Sequence, residues 1–254
     1  MSLVKTLLVS FTLFTLSACS SLGLVNSPDH LDRLSEDNYL HAREVPSFRK
    51  ASYPQLPTPK VQLTPEVEKE VAFFSRYNSS TIRKAISRKN ELGPVIEKIF
   101  VDEGIPLELL NLAIIESCFN PEARSSAGAV GLWQFMKSTA SVYGLEVGYF
   151  EDQRKDPILS TLAAARHIRD LYLAYSDWNL ALAAYNAGSG SVDRAIIRAK
   201  TDNFWELARQ ARLREQTRRY VAKFYAVMHI TNNPQEYGLG EMRLAMSYPT
   251  RRFG

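Results

Sequence analysis

From residue 64 onward, apolar residues recur every three or four positions, which is the spacing of helices that bury one face. The segment Pro157–Tyr175 shows this most clearly, with Leu162, Ala165, Ile168 and Tyr172 on one stripe. No convincing run alternates between apolar and polar residues, as a half-buried strand would. The pattern therefore predicts an all-α domain.

Residues at the helix ends set the predicted boundaries. Thr64 and Pro65 read as an N-cap and a proline at the first helical position, whereas Asn233-Pro234 ends the last helix. After a first helix that begins at residue 65, the predicted helices cover residues 94–103, 106–117, 138–143, 157–175, 178–187, 191–200, 203–209 and 215–231. We expect one domain over residues 64–233 and a short C-terminal tail over 234–254.

Residues 19–63 lack a sustained apolar period and are rich in proline toward their end. This composition predicts an extended tether between an anchor and the domain. The alternative is a segment that packs along the domain surface, because it contains apolar side chains that could dock: Leu31, Leu34, Tyr39 and Leu40.

The N-terminus has the character of an export signal. The uncharged run Thr6–Ala18 would span about 20 Å as a helix, at roughly 1.5 Å per residue, which is shorter than a hydrocarbon core of about 30 Å. Its end, Leu-Ser-Ala-Cys over residues 16–19, resembles a bacterial lipobox. That resemblance implies a signal peptide over residues 1–18, acylation of Cys19 and, because Ser20 follows, sorting to the periplasmic face of the outer membrane. The alternative is a plain secretory signal.

The composition and charge of the chain argue against some classes of function. The 254 residues carry 31 Lys+Arg and 27 Asp+Glu, a net charge of +4 that suits a carboxylate-bearing polymer or an anionic surface without indicating nucleic acid. The four histidines lack metal-ligand spacing, so we expect no metal and no cofactor. If Cys19 is acylated, the second cysteine, Cys118, would be a free thiol.

The first candidate for chemistry is Glu116, which continues the apolar stripe of Leu109, Leu112 and Ala113. Poor hydration and the negative end of a helix both raise the pKa of a carboxyl group. Such a group is a candidate general acid near neutral pH. The alternative is a structural glutamate paired with Arg124.

Two further segments carry candidate binding residues. Residues 125–136, SSAGAVGLWQFM, predict a tight loop whose Trp133 and Gln134 could receive a sugar ring, although Trp133 and its apolar neighbours could instead be core. In AAYNAGSGSV, residues 183–192, Tyr185 and Asn186 lie in the last turn of a helix before a glycine-rich break. Their alternative role is a core tyrosine and a helix cap.

These segments, taken in order, resemble murein transglycosylases of the soluble-lytic-transglycosylase type, especially the membrane-bound D type. That family shares the fold of goose-type lysozyme. The resemblance covers about residues 67–230 and rests on IESCFNPEARSSAGAVGLWQFM, TASVYGL, DQRKDPILSTLAAARHI, DWNLALAAYNAGSGSV and QTRRYVAKF. It departs from the family at Arg214 and Gln216, where proline and glutamate are usual.

The resemblance implies a lytic transglycosylase acting on peptidoglycan glycan strands. Glu116 would be the only catalytic acid and base, and Ser125 would hydrogen-bond and orient it. The enzyme would break the bond between N-acetylmuramic acid and N-acetylglucosamine without water and leave a 1,6-anhydro end.

The same resemblance implies the substrate-binding residues. Gln134 and Met136 would line the cleft and contact the N-acetyl sugars. Tyr185 would lie close to the reacting bond, and Asn186 would help to hold that turn. Tyr220 would form part of the groove. The partners implied are the glycan strands and, through the N-terminal cysteine, outer-membrane lipid; the sequence identifies no envelope assembly partner.

Three alternatives remain open. A hydrolytic lysozyme on the same fold would need a second carboxylate, for which the nearby candidates are Glu122, Glu146, Asp152 and Asp156. An inactive murein-binding lipoprotein would need no catalytic acid. A thiol hydrolase would pair Cys118 with a histidine. The basic stretch over residues 194–219 could bind peptide carboxylates or be a solvated helix face.

Overall fold

The computed structural model describes residues 36–44, 48, 53–92, 94–240 and 242. Within these ranges the chain forms eleven α-helices and no strand, which confirms the all-α prediction. In chain order they are α1 (Glu36–Glu44), α2 (Pro65–Tyr77), α3 (Ser79–Glu91), α4 (Val95–Asp102), α5 (Asn111–Ser117), α6 (Lys137–Val142), α7 (Pro157–Tyr175), α8 (Trp178–Ala187), α9 (Ser189–Ala199), α10 (Phe204–Arg209) and α11 (Glu215–Asn232). Single turns of 3-10 helix cover Leu107–Leu110 and Gln153–Lys155.

The helix starts follow from their caps. The carboxylate of Asp156 accepts hydrogen bonds from the amides of Ile158 and Leu159 at 2.9 and 2.8 Å, and α7 begins at Pro157, directly after this cap. Asp177 caps α8 in the same way, accepting from Leu180 N at 2.9 Å. Both helices have the predicted bounds because a cap and a clear apolar stripe agree there.

The helices enclose one apolar core. α2 packs along α11, which also contacts α5 and α8, while α7 packs against α4 and α8. Small residues on α7 and α8 let these two helices approach closely; those with at most 3% exposure are Ala163, Ala164, Ala165, Ala181, Ala183 and Ala184. This arrangement brings the C-terminal end of α5 against the second turn of α11, where Tyr220 contacts Glu116. None of the described helices is both long and apolar enough to cross a bilayer.

The prediction of an extended tether over 19–63 is wrong for the described part of that segment. Residues 36–44 form α1, and the segment buries Tyr39, Phe48 and Leu56 at 2, 1 and 7% exposure. Farther along, the indole of Trp178 donates to Pro57 O at 2.8 Å. The physical reason is apolar area: three buried side chains contribute roughly 1.5–3 kcal/mol each, more than a solvated linker gains.

A buried ion pair fixes the same segment to the end of α4. Arg43 is 9% exposed and its guanidinium hydrogen-bonds the fully buried carboxylate of Glu103. The hydroxyl of Tyr39 donates to Asp102 at 2.6 Å beside it. The alternative expectation, a segment packed along the domain, therefore describes residues 36–44, 48 and 53–63. The signal peptide and Cys19 lie outside the described residues.

The predicted tail also packs where it is described. Leu239 is 1% exposed, and Arg83 donates to the carbonyl of Gly238. The imidazole of His229 lies 3.0 Å from the hydroxyl of Tyr237. Residues 234–240 are thus part of the domain surface, and the remaining tail residues, apart from 242, lie outside the described ranges.

Candidate active site

Glu116 lies in the last turn of α5. Leu109, Leu112 and Ala113 on its stripe are fully buried, as predicted, while Glu116 itself is partly buried at the rim of the core. The helix ends immediately afterwards because Cys118 and Phe119 adopt φ values of 55° and 54°, in the left-handed region. The carboxyl group is therefore held on a rigid helix end next to a sharp change in chain direction.

Burial dominates the acidity of this group. Loss of hydration raises the pKa of Glu116 from its ordinary 4.5 to about 7, against smaller lowering effects from a Tyr220 hydrogen bond and from the charge of Lys223. At neutral pH a large share of the molecules therefore carry a protonated carboxyl group here. The general-acid interpretation of Glu116 requires such a group.

Tyr220 is the hydrogen-bond partner of Glu116. Its hydroxyl donates to Glu116 Oε1 at 2.6 Å, across from α11, and the ring is 3% exposed. Burial and the nearby carboxylate raise the pKa of Tyr220 well above 10, so the phenol stays a donor. Because Oε1 is occupied in this way, Oε2 is the oxygen that would carry and deliver a proton.

The structure does not give Ser125 its expected role. Its hydroxyl accepts a hydrogen bond from Ala129 N at 2.9 Å, and its amide donates to Ala129 O at the same distance. Ser125 therefore closes the turn at Gly128 rather than hydrogen-bonding Glu116. The hydrogen bond expected from this serine comes from Tyr220 instead. Arg124 does not pair with Glu116 either, since the charged neighbour is Lys223.

Tyr185 lies beside Glu116, whose charge contributes to raising the Tyr185 pKa well above 10 together with burial. Its hydroxyl donates to Trp133 O at 2.8 Å, which fastens the end of α8 to the loop over residues 123–136. Its ring stacks on His167 at 5.1 Å. The neighbouring Asn186 accepts a hydrogen bond from Thr217 at 3.1 Å and so ties the same turn to α11.

The loop carrying Gln134 and Met136 is shaped by close backbone contacts. At Gly131, with φ 86°, an added Cβ would lie 1.9 Å from a backbone carbonyl oxygen, so no other residue fits without movement. Gln134 has φ 50°. Its side-chain amide donates to Gly131 O at 2.9 Å and to Ala123 O at 3.2 Å. Met136 follows with 44% exposure.

The expectation that the indole of Trp133 forms a bed for a sugar is wrong. Trp133 is 1% exposed, donates to Thr161 Oγ1 at 2.9 Å and stacks on Phe100 at 5.4 Å. Phe135 is likewise buried, at 3% exposure. The alternative, ordinary core, describes both residues, whereas Met136 is an exposed apolar side chain of this loop.

The four candidate second carboxylates have other roles. Glu122 pairs with Lys155, Asp156 caps α7, and Glu146 is exposed. Asp152 forms a two-point pair with Arg154, both contacts at 2.8 Å, which lowers the pKa of Asp152. The structural interpretation of this acidic cluster thus fits each of its members.

The thiol hydrolase alternative is contradicted, and Cys118 is not a free thiol. Cys118 is 2% exposed and is disulfide-bonded. His167 is packed among aromatic rings, and burial lowers its pKa to about 4, so it is neutral at physiological pH. No group of residues in the described ranges has the composition of a metal site.

The basic stretch over residues 194–219 is partly neutralised by acidic neighbours. Arg219 pairs with Glu70 of α2 at 2.8 Å. A cavity of about 270 Å³ between α2, α10 and α11 is lined by charges of both signs and by Trp205. This mixture fits neither a purely anion-binding surface nor a freely solvated helix face.

Sequence reasoning missed Lys223 as a member of the site. It lies three residues after Tyr220, on the same face of α11, and burial lowers its pKa. The helical spacing within QTRRYVAKF was the available signal. The residues brought together around the carboxyl group are therefore Glu116, Tyr185, Tyr220 and Lys223.

Parts of the chain are similar to known proteins. Residues 95–208 match the family model described as transglycosylase SLT domain. Membrane-bound lytic murein transglycosylase D of Escherichia coli (strain K12) is 40% identical over 141 residues, which are 54% of this chain and 30% of that protein. The chain thus matches less than a third of the length of that relative.

Two further relatives are shorter matches. A putative tributyltin chloride resistance protein of Alteromonas sp. (strain M-1) is 39% identical over 98 residues, 38% of this chain and 47% of that protein. Peptidoglycan transglycosylase gp16 of Escherichia phage T7 is 36% identical over 99 residues, 38% of this chain and 8% of that protein.

Proposed function

We propose that this protein is a lytic transglycosylase of peptidoglycan, because its residues 95–208 match the family model described as transglycosylase SLT domain. It cleaves the β-1,4 bond between N-acetylmuramic acid and N-acetylglucosamine and leaves a 1,6-anhydro-N-acetylmuramic acid end. The observation that carries the proposal is the partly buried carboxyl group of Glu116, whose pKa is raised to about 7 and whose charged neighbour is a cation.

The first step is proton transfer to the leaving oxygen. Protonated Glu116 gives its proton to the glycosidic oxygen as the bond to the anomeric carbon breaks, so the N-acetylglucosamine side leaves as an alcohol. Negative charge then develops on the carboxylate. The Tyr220 hydroxyl, 2.6 Å from Oε1, and the positive charge of Lys223 stabilise that charge.

The second step returns the proton to the same residue. The Glu116 carboxylate removes the proton of the C6 hydroxyl of N-acetylmuramic acid, and that oxygen attacks the anomeric carbon to close the anhydro ring. No water is consumed. Because the nucleophile belongs to the substrate, its high effective concentration replaces a positioned water and the base that would activate it.

Hydrolysis would require a second acidic group near Glu116, whereas the proposed reaction does not. Glycosidases of the usual kind need a second carboxylate, as nucleophile or as base. The charged neighbour of Glu116 is Lys223, and the acidic candidates along the chain are paired, capping or exposed. We therefore place the hydrolytic lysozyme second and the inactive murein-binding lipoprotein third.

Substrate contacts are proposed on the loop that Tyr185 fastens. Gln134 and Met136 would contact the N-acetyl groups, and Tyr185 would lie against the sugar whose bond breaks. Asn186 and Tyr220 join this set through the hydrogen bonds that hold α8 and α5 to α11. Ser125 would act indirectly, by closing the turn that precedes Gln134.

Digestion of purified murein tests the proposal. Mass spectrometry should find muropeptide ends lighter by one water than reducing ends, and the Glu116→Gln variant should lose activity by about 10²–10⁴-fold. Glu68→Gln, on the exposed side of α2, is the matched control and should retain activity. Reducing ends would indicate a hydrolase, and unchanged lysis by Glu116→Gln would indicate that this residue is not the acid.

We further propose that the protein is anchored by lipid on Cys19 at the periplasmic face of the outer membrane. The run Leu-Ser-Ala-Cys over residues 16–19, which resembles a lipobox, and the Ser20 that follows it support this proposal. The mass of the N-terminal peptide, measured on protein from membranes, tests it. An acylated cysteine at the N-terminus is expected, and an unmodified Cys19 would contradict the anchor.

A further inference from the structure

Two aromatic rings project from the surface on one short hairpin. Tyr149 and Phe150 are 95 and 98% exposed, and their rings meet edge to face with centroids 5.1 Å apart. Single exposed apolar residues need no explanation, but two adjacent and almost completely exposed rings form a surface feature. The proposed reaction does not use them.

The hairpin that carries them, here called the aromatic hairpin (residues 146–153), is well braced. Gly148 N donates to Glu151 O at 2.8 Å, and Gln153 N donates to Glu146 O at 3.0 Å. The side chain of Gln153 also accepts from Glu146 N at 2.8 Å. The rings are therefore presented by a hydrogen-bonded turn, which lowers the entropy that a ligand would have to remove.

The base of the aromatic hairpin is joined to the loop of the candidate active site. Arg154, which is 6% exposed, holds Asp152 by two contacts of 2.8 Å. The same guanidinium donates to Gly128 O at 3.0 Å and to Phe135 O at 3.1 Å. Phe135 lies between the two proposed sugar-contacting residues of that loop. The hairpin thus has a fixed position relative to them.

The size of the patch argues against a protein partner. Two fully covered rings bury about 300–500 Å² in total, at 150–250 Å² for each aromatic side chain. A stable protein interface needs about 800 Å² on each partner. The rings match a small ligand surface, such as the faces of one or two sugar units in a longer chain.

Charge argues against a membrane surface. The aromatic hairpin carries Glu146, Glu151 and Asp152 within seven residues of chain and contains no Lys or Arg. Loops that insert aromatic rings at anionic bilayers are rich in Lys and Arg, because negative headgroups repel carboxylates. Carboxylates next to aromatic rings suit the hydroxyl and amide donors of a sugar instead.

We propose that Tyr149 and Phe150 form a sugar-stacking platform that binds hexosamine units of the glycan strand outside the catalytic pocket. The inference rests on the proposed function, which makes the glycan strand the substrate. The platform gains affinity from units beyond those at the reacting bond, so it favours long strands over short ones. Glu146 and Glu151, both exposed on the same hairpin, accept hydrogen bonds from the sugar.

Binding to glycan strands of graded length tests the platform. The full chain with Glu116→Gln, which blocks cleavage, is compared with the same chain also carrying Tyr149→Ser and Phe150→Ser. Affinity should rise with strand length in the first protein, and the longest strands should bind about tenfold more weakly in the second. Tyr149→Trp with Phe150→Trp should restore the length dependence.

The matched control is Tyr77→Ser, which removes another exposed tyrosine, 65% exposed at the end of α2, and should leave binding unchanged. Equal length dependence with and without the two rings overturns the proposal. If Tyr149→Ser with Phe150→Ser abolishes binding to phosphatidylglycerol vesicles and leaves strand binding intact, the proposal is also overturned, and the rings are assigned to a membrane surface. If the wild-type chain forms no anhydro products from murein, the proposed function fails, which is a result separate from either of these.

Discussion

Replacing Glu116 by glutamine should stabilise the fold at alkaline pH while it removes activity. The carboxyl group is nearly isosteric with the amide, so packing and the acceptor for the Tyr220 hydroxyl are kept. What changes is the charge. Above the raised pKa, wild-type protein must hold an ionised carboxylate at a poorly hydrated position, and the amide does not carry that cost.

The magnitude follows from the two pKa values. The group titrates at about 7 in the folded protein and near 4.5 when hydrated, as in the unfolded chain. At about 1.36 kcal/mol for each pKa unit, folding loses up to about 3 kcal/mol as pH rises. The contribution of Glu116 to stability is fully present below pH 4.5, declines between 4.5 and 7, and is absent above 7. Partial solvent exposure of the side chain makes this figure an upper bound.

Urea unfolding followed by far-ultraviolet circular dichroism, at pH 4 and pH 8, measures the effect. The two proteins should have equal free energies of unfolding at pH 4. At pH 8, Glu116→Gln should be more stable by up to about 3 kcal/mol. The variant Glu68→Gln removes an exposed carboxylate and should show no such pH-dependent gain.

The reasoning is refuted if Glu116→Gln changes stability equally at both pH values. A loss of stability at pH 8 would refute it more strongly, because the ionised carboxylate would then be a stabilising group. In either case the group would not be a desolvated acid, and the assignment of Glu116 as proton donor would lose its physical basis.

Three other expectations follow from the same geometry. The value of kcat/KM on murein should fall as pH rises through about 7, since the first step needs Glu116 protonated; a rate that keeps rising to pH 9 would contradict this. Tyr220→Phe removes a hydrogen bond that lowers the Glu116 pKa, so the alkaline limb of the pH–rate profile should move to higher pH; an unmoved limb would show that this bond does not tune the acid. Gly131→Ala should lower the free energy of unfolding by about 3 kcal/mol or more, because its Cβ would lie 1.9 Å from Arg154 O. Gly128→Ala has open space around its Cβ and should cost only about 1 kcal/mol of backbone strain. Equal losses of stability in thermal unfolding of the two variants would contradict the close contact at Gly131.

Much of the fold was predictable because helix ends carry local signals. Asp156-Pro157 and Asp177 fixed the starts of α7 and α8. The helix α3 was missed because its sequence, SSTIRKAISRKNE, is mostly polar and buries only a few apolar residues. The docking of α1 was left as an alternative, since it depends on the buried pair between Arg43 and Glu103, which are 60 residues apart in the chain.

The candidate site divides in the same way. Glu116 was predictable because its position on an apolar stripe is a local property of α5. The side chain that hydrogen-bonds it was not, because Tyr220 reaches it from α11 over a separation of 104 residues. Trp133 was ambiguous, since nothing local distinguishes a buried indole paired with Thr161 from one that faces a ligand.

Direct titration of Glu116 tests the central claim. Carboxyl carbon-13 chemical shifts of glutamate-labelled protein, with the resonance identified by its disappearance in Glu116→Gln, would follow the ionisation of this one group. We expect a midpoint near pH 7. A midpoint near the ordinary glutamate value of 4.5 would contradict the account, because Glu116 would then be ionised at neutral pH and would have no proton to give.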